Sequence, residues 1–209
     1  SAGRPVDAFQ GAQSESQIKA FVDKLAESAG TTQNDPVAEA IEKARESLAS
    51  EDFETAAAIF SQVLSHAADN VDAQGGMARA LVGMDHLEEA TEILSKIPED
   101  QRENAEVAAA RNALDLANQS AAVGDLGGLE TAVEANPADH QARLDLAVGL
   151  FGAGSREDAI DHLVESMKID RTWNEEAARK QLIQFFDTMS PTDEVTISGR
   201  RKMSAVLFS

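Results

Sequence analysis

Apolar residues along this chain are spaced as they are on the buried faces of helices, and not as in strands. Valine and isoleucine occur singly and never in alternating runs, which argues against β-sheet. Several segments repeat Ala-x-x-x-Phe or Ala-x-x-x-Leu, and residues four apart lie on one face of an α-helix. The predicted helices span residues 36–49, 52–66, 71–84, 87–97, 103–119, 126–135, 139–152, 156–168, 174–189 and 192–208.

Capping residues support several of these boundaries. Asp35 followed by Pro36 is typical of a helix start, because the carboxylate accepts from a free amide and proline suits the first helical position. Asn174 is expected to cap the ninth helix, and Ser190-Pro191 is expected to end it.

The alanine motif recurs at a regular distance. Its alanines are Ala56, Ala90 and Ala159, so the gaps are 34 residues and 69 residues, the second being one more than two periods of 34. The helices that precede the last two motifs also agree. A large, a small and a second large residue lie 13, 12 and 9 positions ahead of the alanine in both cases.

These motifs resemble the tetratricopeptide repeat (TPR), a hairpin of two antiparallel helices. The resemblance implies an all-α fold, an α-solenoid of about four to five hairpins packed through small residues. The third hairpin, 103–119 with 126–135, is interpreted as a divergent pair. The residues expected to form the repeat core are Phe53, Ala56, Phe60, Met77, Ala78, Leu81, Leu87, Ala90, Leu94, Leu146, Ala147, Leu150, Ala159 and Leu163.

The charge of the chain excludes some partners. It carries 37 acidic and 18 basic residues, a net charge of −19, and such a surface repels nucleic-acid phosphates and anionic lipid headgroups. There is no cysteine, hence no disulfide or thiolate site. We see no apolar run of about 18 residues, the minimum for a membrane-spanning helix. No signal peptide is visible, so the cytoplasm is the default location.

Nothing in the sequence marks a catalytic, metal or cofactor site. The four histidines are isolated and have no partner four residues away, so a zinc site is not expected. The glycine-rich stretch 149–154 follows no strand and therefore lacks the context of a dinucleotide loop. We predict no enzyme activity, no cofactor and no small-molecule substrate.

The first residues do not belong to the repeat. Residues 3–12 are interpreted as a turn, a short strand and a glycine break, and residues 14–25 as an amphipathic helix. This order resembles the last strand and last helix of a thioredoxin domain. The expected domains are a thioredoxin-like remnant at 1–26, a linker at 27–34 and a helical domain at 35–209.

Three stretches carry a more specific resemblance. Residues 10–18, residues 173–182 and the Arg-Arg-Lys tail at 200–202 resemble the bacterial chaperedoxins, the YbbN/CnoX family, which join a thioredoxin-like domain to a TPR domain. The resemblance implies a holdase that keeps unfolded client proteins soluble and passes them to the bacterial chaperonin. The thioredoxin Cys-x-x-Cys motif is absent from this chain, so no redox activity is predicted for it.

In that family the extreme C-terminal helix docks on the chaperonin. Two interpretations of the tail remain open here. Its cations complement the carbonyl end of the last helix or pair with acidic neighbours, or they contact the partner. Leu207 and Phe208 likewise either pack back on the previous helix or anchor a partner. The residues that match the docking segment are Arg200, Arg201, Lys202, Val206, Leu207 and Phe208.

Stacked hairpins also leave a concave groove lined by their first helices. Arginines there would hold acidic segments or carboxylate ends of peptides, and the alternative is that they form local ion pairs. Trp173 is expected to seal the gap between the last full repeat and the terminal helices, with a client contact as the alternative. The groove candidates are Gln74, Arg79, Arg111, Arg143 and Asp145.

Three functions fit the sequence. The first is a chaperone module that binds unfolded clients and the chaperonin. The second is the substrate-selecting domain of a thioredoxin-like thiol-disulfide oxidoreductase. The third is a TPR scaffold for one folded partner.

Overall fold

The computed structural model describes residues 36–208, and within that range every regular element is helical. The predicted all-α fold is confirmed, and each predicted helix end agrees with the structure within three residues. The predicted strand and helix at 3–25 and the linker at 27–34 lie outside the described residues. The ten α-helices of the described range are α1 (Pro36–Ala49), α2 (Phe53–His66), α3 (Val71–Gly83), α4 (Leu87–Lys96), α5 (Ala105–Ala122), α6 (Leu126–Ala135), α7 (His140–Gly152), α8 (Arg156–Ile169), α9 (Trp173–Thr188) and α10 (Glu194–Leu207).

Within the unit that begins at Ala40, α3 packs on α4 and α7 packs on α8 as hairpins. Helices α3, α5 and α7 lie side by side in a row. Helices α2, α4, α6 and α8 each pack against a helix of that row. This is the arrangement expected for a stacked array in which each hairpin buries its apolar face against its neighbours.

Small residues allow the helices to approach closely. Ala56, Ala90 and Ala159 each occupy the fourth position of a second helix, and all three are fully buried. Of the fourteen residues expected in the repeat core, ten are buried and four are half-buried, the latter being Phe53, Met77, Leu87 and Leu150.

The third hairpin diverges at the same fourth position. Helix α6 carries Leu129 where the other second helices carry alanine, and only Val133 of this helix is buried. A leucine keeps the two backbones further apart than an alanine does. Helix α6 packs on α7 of the next hairpin, and its partner α5 extends to 18 residues.

The last two helices close the array. Helix α9 packs against α8 and also crosses to the row helices α5 and α7, while α10 packs mainly on α8. Leu182, Phe185 and Phe186 of α9 are buried in the largest apolar cluster of the described residues. Phe185 stacks on Phe151 of α7, with ring centroids 4.1 Å apart.

The start of α9 differs from the expectation that Asn174 caps it. Asn174, Glu175 and Glu176 all have positive φ angles, between 46° and 64°, so they form a left-handed turn. Asparagine tolerates this region better than most residues, but consecutive glutamates there are strained. The cap-like contact is made instead by Asp170, whose Oδ1 accepts from the backbone amide of Thr172 at 2.8 Å.

We expect Gly76→Ala to lower the free energy of unfolding by about 1–3 kcal/mol. A Cβ at residue 76 would lie 2.1 Å from Cζ of Phe60, and Phe60 is fully buried, so the ring has to move. In an uncrowded helix the same change stabilises by about 0.5–1 kcal/mol.

Gly127→Ala is the matched control, because a Cβ there meets nothing closer than 3.5 Å. Urea unfolding followed by circular dichroism gives both values. Similar effects of the two substitutions would contradict close packing of α3 against α2.

Candidate partner-binding surfaces

One cavity of the described residues lies on the first helices of the hairpins. It has a volume of about 730 Å³ and is lined mainly by residues of α1, α3, α5 and α7 and by residues 187–193, from the end of α9 into the loop before α10. Because the first helices of successive hairpins supply its walls, it corresponds to the predicted groove. The α9–α10 segment bounds one side of it.

The lining combines apolar side chains with charges of both signs. Apolar and small residues of all four helices contribute, among them Leu48, Val82, Ala117 and Phe151. Three arginines and four carboxylates also line it: Arg45, Arg79, Arg156, Glu51, Glu106, Asp187 and Asp193.

A half-buried ionic network crosses three helices at this cavity. Glu106 of α5 is only 14% exposed and accepts from Nε of Arg45 at 2.8 Å and from Nη1 of Arg79 at 3.4 Å. Arg45 also pairs with Asp72 of α3 at 3.2 Å. Burial by itself would lower the pKa of Arg45, but hydrogen bonds and charges from Glu106 and Glu42 outweigh it and raise that pKa.

A further ion pair joins distant parts of the array. Arg156, at the start of α8, lies 2.5 Å from Glu51, which follows α1. The guanidinium carbon of Arg156 also lies 6.0 Å from the centroid of the Phe151 ring. Arg156 and Glu51 both line the cavity, so their ion pair forms part of its wall.

Only one of the five groove candidates lines this cavity, namely Arg79. Arg143 is 8% exposed and donates to the carbonyl oxygen of Pro137 at 2.7 Å. Arg111 donates to the carbonyl oxygen of Leu94 at 2.9 Å. These two arginines contact backbone carbonyls of their own array.

The other two candidates also have local partners. Gln74 donates to the carbonyl oxygen of Ala68 at 2.8 Å. Asp145 accepts from Gln141 at 2.7 Å and lines a second cavity, of about 580 Å³, between α5, α6 and α7.

The C-terminal helix divides the six docking candidates into two groups. Val206 is buried and Leu207 is half-buried against the main apolar cluster. Lys202 pairs with Asp161 of α8 at 2.5 Å and with Glu157 at 3.7 Å, and the hydrogen bond to Asp161 raises the pKa of Lys202. These three side chains attach α10 to the array.

The remaining three candidates face outward. Phe208 is 87% exposed, and Arg201 is exposed without an ion pair to any residue of the described range. Arg200 is exposed and lies over the ring of Phe186, at 5.3 Å from its centroid. Ile197, at 40% exposure, lies four residues before Arg201 on the same side of the helix.

Arg171 holds the end of this helix and was not expected from the sequence. Its Nη1 donates to the carbonyl oxygens of Val206 and Leu207, both at 3.2 Å. Because the last carbonyls of a helix have no partner within it, a cation there stabilises the helix end.

Trp173 lies at the junction of α7, α8 and α9, as its expected sealing role requires. Its ring stacks on His140 with centroids 5.1 Å apart, and Nδ1 of His140 lies 2.7 Å from Oγ of the buried Ser166. The amide and hydroxyl of Thr172 donate to Asp170, which lowers the pKa of that carboxylate.

Comparison with known proteins agrees with this architecture. Two family models, both described as tetratricopeptide repeat, match residues 47–114 and residues 119–208. The chain contains tetratricopeptide repeats. TPR arrays are typically non-catalytic scaffolds that bind other proteins, so the chain is a protein-interaction module.

No curated protein matches the chain. A solved structure of a domain of a Vibrio parahaemolyticus protein of unknown function is 20% identical, covers 80% of this chain and 97% of its own, and has a TM-score of 0.40. A similarity at that TM-score carries no argument about this TPR chain.

Residues 36–208 contain neither a cluster of metal-ligating side chains nor a membrane-spanning helix. No group of three or more histidine, aspartate or glutamate side chains in this range is placed to hold a metal ion. None of the helices described here is long and apolar enough to cross a membrane.

Sequence reasoning missed several residues of these TPR surfaces. Arg45, Glu106 and Arg171 make contacts that span 27 to 61 positions in the chain, so no local pattern reveals them. Asp187 and Asp193 flank the Ser190-Pro191 break. From the sequence this break predicted a helix end, but it did not predict a role for the two aspartates.

We expect Glu106→Gln to lower the free energy of unfolding by about 1–3 kcal/mol, because it removes the carboxylate that two half-buried guanidinium groups share, although Arg45 keeps its pair with Asp72. Glu92→Gln removes an exposed pair with Lys96 and is the control, with no measurable change expected. Urea unfolding of both variants is the measurement. An unchanged midpoint for Glu106→Gln would show that the network does not stabilise the array.

A second expectation concerns His162 of α8. Burial, followed by the charge of Arg143, lowers the pKa of His162 although nearby carboxylates oppose the shift. Nη1 of Arg143 lies 3.4 Å from Nδ1 of His162, which accepts from it in the neutral tautomer that carries its proton on Nε2.

Because the pKa of His162 is lower in the folded state, the unfolded chain takes up the proton first as the pH falls. Stability therefore declines as the pH drops through about 6.5, the unfolded value, towards the folded pKa. His162→Asn keeps an acceptor for Arg143 but does not titrate, so its midpoint is expected to fall less between about pH 7.5 and about pH 5. Parallel pH profiles of unfolding for the two proteins would contradict this.

Proposed function

We propose that this chain is a protein-binding chaperone module that binds unfolded client proteins and docks on the bacterial chaperonin through α10. The observation that carries the docking proposal is the outward side of α10, where Phe208 is 87% exposed and follows Arg201 by seven residues. Phe208 directly follows Leu207, the last residue of α10, so its exposed ring lies at the end of the helix that carries Arg201. The resemblance of the Arg-Arg-Lys tail to the chaperedoxins supports the same assignment.

The exposed side chain of Phe208 offers a partner apolar surface to bury. Moving a phenylalanine side chain from water into a partner's pocket contributes about 1.5–3 kcal/mol. Lys202, Arg171 and Val206 attach the opposite side of α10 to the array. The helix is therefore held in place before a partner arrives, which reduces the entropy cost of docking.

The docking test compares three variants for binding to immobilised bacterial chaperonin by surface plasmon resonance. Phe208→Ala and Arg201→Gln change the outward side of α10, and Phe208→Ala is expected to weaken binding roughly tenfold or more. Ile169→Ala removes an exposed apolar side chain at the end of α8 and is the matched control, with unchanged affinity expected.

Equal affinities of Phe208→Ala and the wild-type chain would refute docking through this side of α10. So would a lack of binding by the wild-type chain. Circular dichroism of each variant checks that helicity is retained.

The client-binding part has a separate test. Suppression of light scattering by a heat-denatured client protein at near-equal molar ratio is expected of a holdase. No suppression by the folded chain would favour the alternative, a TPR scaffold for one folded partner, which the ordered cavity on α1, α3, α5 and α7 supports.

A further inference from the structure

The arginines of the large cavity are all engaged by the array itself. Glu106 accepts from Arg45 and Arg79, and Glu51 pairs with Arg156. A carboxylate ligand would have to displace an existing carboxylate in each case, so the cavity offers no free cation to an acidic peptide. The expectation that groove arginines hold carboxylate ends is therefore not supported at Arg79.

The charged side chains of the cavity that have no ion-pair partner among the described residues are carboxylates. Asp187, near the end of α9, is exposed and makes no hydrogen bond or ion pair with its carboxylate among residues 36–208. Asp193 uses Oδ1 to accept from the backbone amide of Val195, and no cation of the described range lies within ion-pair distance of it. Both residues line the same cavity.

The lining of the same cavity is partly apolar. Leu116 and Ala117 of α5 and Phe151 of α7 contribute to it, and its volume of about 730 Å³ falls in the range of sites that enclose a ligand. An apolar surface beside unpaired carboxylates suits a lysine or arginine side chain, because its alkyl stem lies on apolar surface while its charged head remains at the rim.

We infer that this cavity binds a peptide segment in which apolar side chains alternate with lysine or arginine. The apolar side chains lie on Leu116, Ala117 and Phe151, and the basic side chains reach Asp187 and Asp193. This inference goes beyond the proposed function, since it concerns which segments the array selects and holds whether or not α10 docks on the chaperonin.

The chain's net charge of −19 attracts any basic peptide, so the experiment has to separate the cavity from the general field. Isothermal titration calorimetry of the full chain uses three blocked peptides: acetyl-LKFKL-amide, its acidic counterpart acetyl-LEFEL-amide, and acetyl-SKSKS-amide, which keeps the charge and removes the apolar residues. Only the first is expected to bind measurably.

Two double variants carry the same change in net charge. Asp187→Asn with Asp193→Asn neutralises the cavity carboxylates, and asparagine at 193 still caps α10. Glu88→Gln with Asp115→Asn neutralises two exposed residues outside the cavity. Affinity for acetyl-LKFKL-amide is expected to fall roughly fivefold in the first variant and by less than about twofold in the second.

Ala117→Phe supplies an independent test, because the new phenylalanine ring fills the apolar part of the cavity without changing the net charge. It is expected to abolish binding of acetyl-LKFKL-amide, whereas Phe208→Ala on α10 leaves that binding unchanged. A failure of chaperonin docking and a failure of the cavity are therefore distinguishable.

Three results would overturn the inference. They are equal weakening by the two double variants, binding of acetyl-LEFEL-amide as tight as that of acetyl-LKFKL-amide, and the absence of any binding by the wild-type chain.

Discussion

The close approach of helix backbones is the constraint on which the rest of this structure depends. A Cβ at Gly75 of α3 would lie 2.7 Å from the backbone of Glu106 in α5, so the two row helices touch nearly backbone to backbone. That contact brings the Glu106 carboxylate to Arg79 and Arg45. Close packing and the ionic network therefore depend on each other. Small residues set the distance between the helices, and the charged side chains fill the space between them.

The same arrangement decides what the groove of this TPR array offers. Helix α9 crosses to α5 and α7, and the segment after it bounds the cavity. Ion pairs within the array occupy the arginines, and the carboxylates of Asp187 and Asp193 enter from the α9–α10 segment. The charge available to a partner is consequently opposite in sign to the arginines that line the cavity.

One side of helix α10 is attached to α8, and the other side is exposed to solvent. Lys202 and the buried Val206 hold it on α8, and Arg171 contacts its last carbonyls. The opposite side exposes Arg201 and Phe208. Because a helix fixes its side chains in direction, attachment through one side orients the other without further contacts.

The sequence by itself determined the helices and the small residues at Ala56, Ala90 and Ala159, since these depend on neighbours within a few positions. Only the tertiary structure decided which charged residues are free. Arg79 of α3 and Arg143 of α7 are both arginines on first helices, yet Arg143 bonds a backbone carbonyl and Arg79 lines the cavity. The tail divided in the same way, because Lys202 and Phe208 acquire inward and outward sides only when α10 lies on α8. Such choices follow from contacts between distant segments, which a local pattern does not contain.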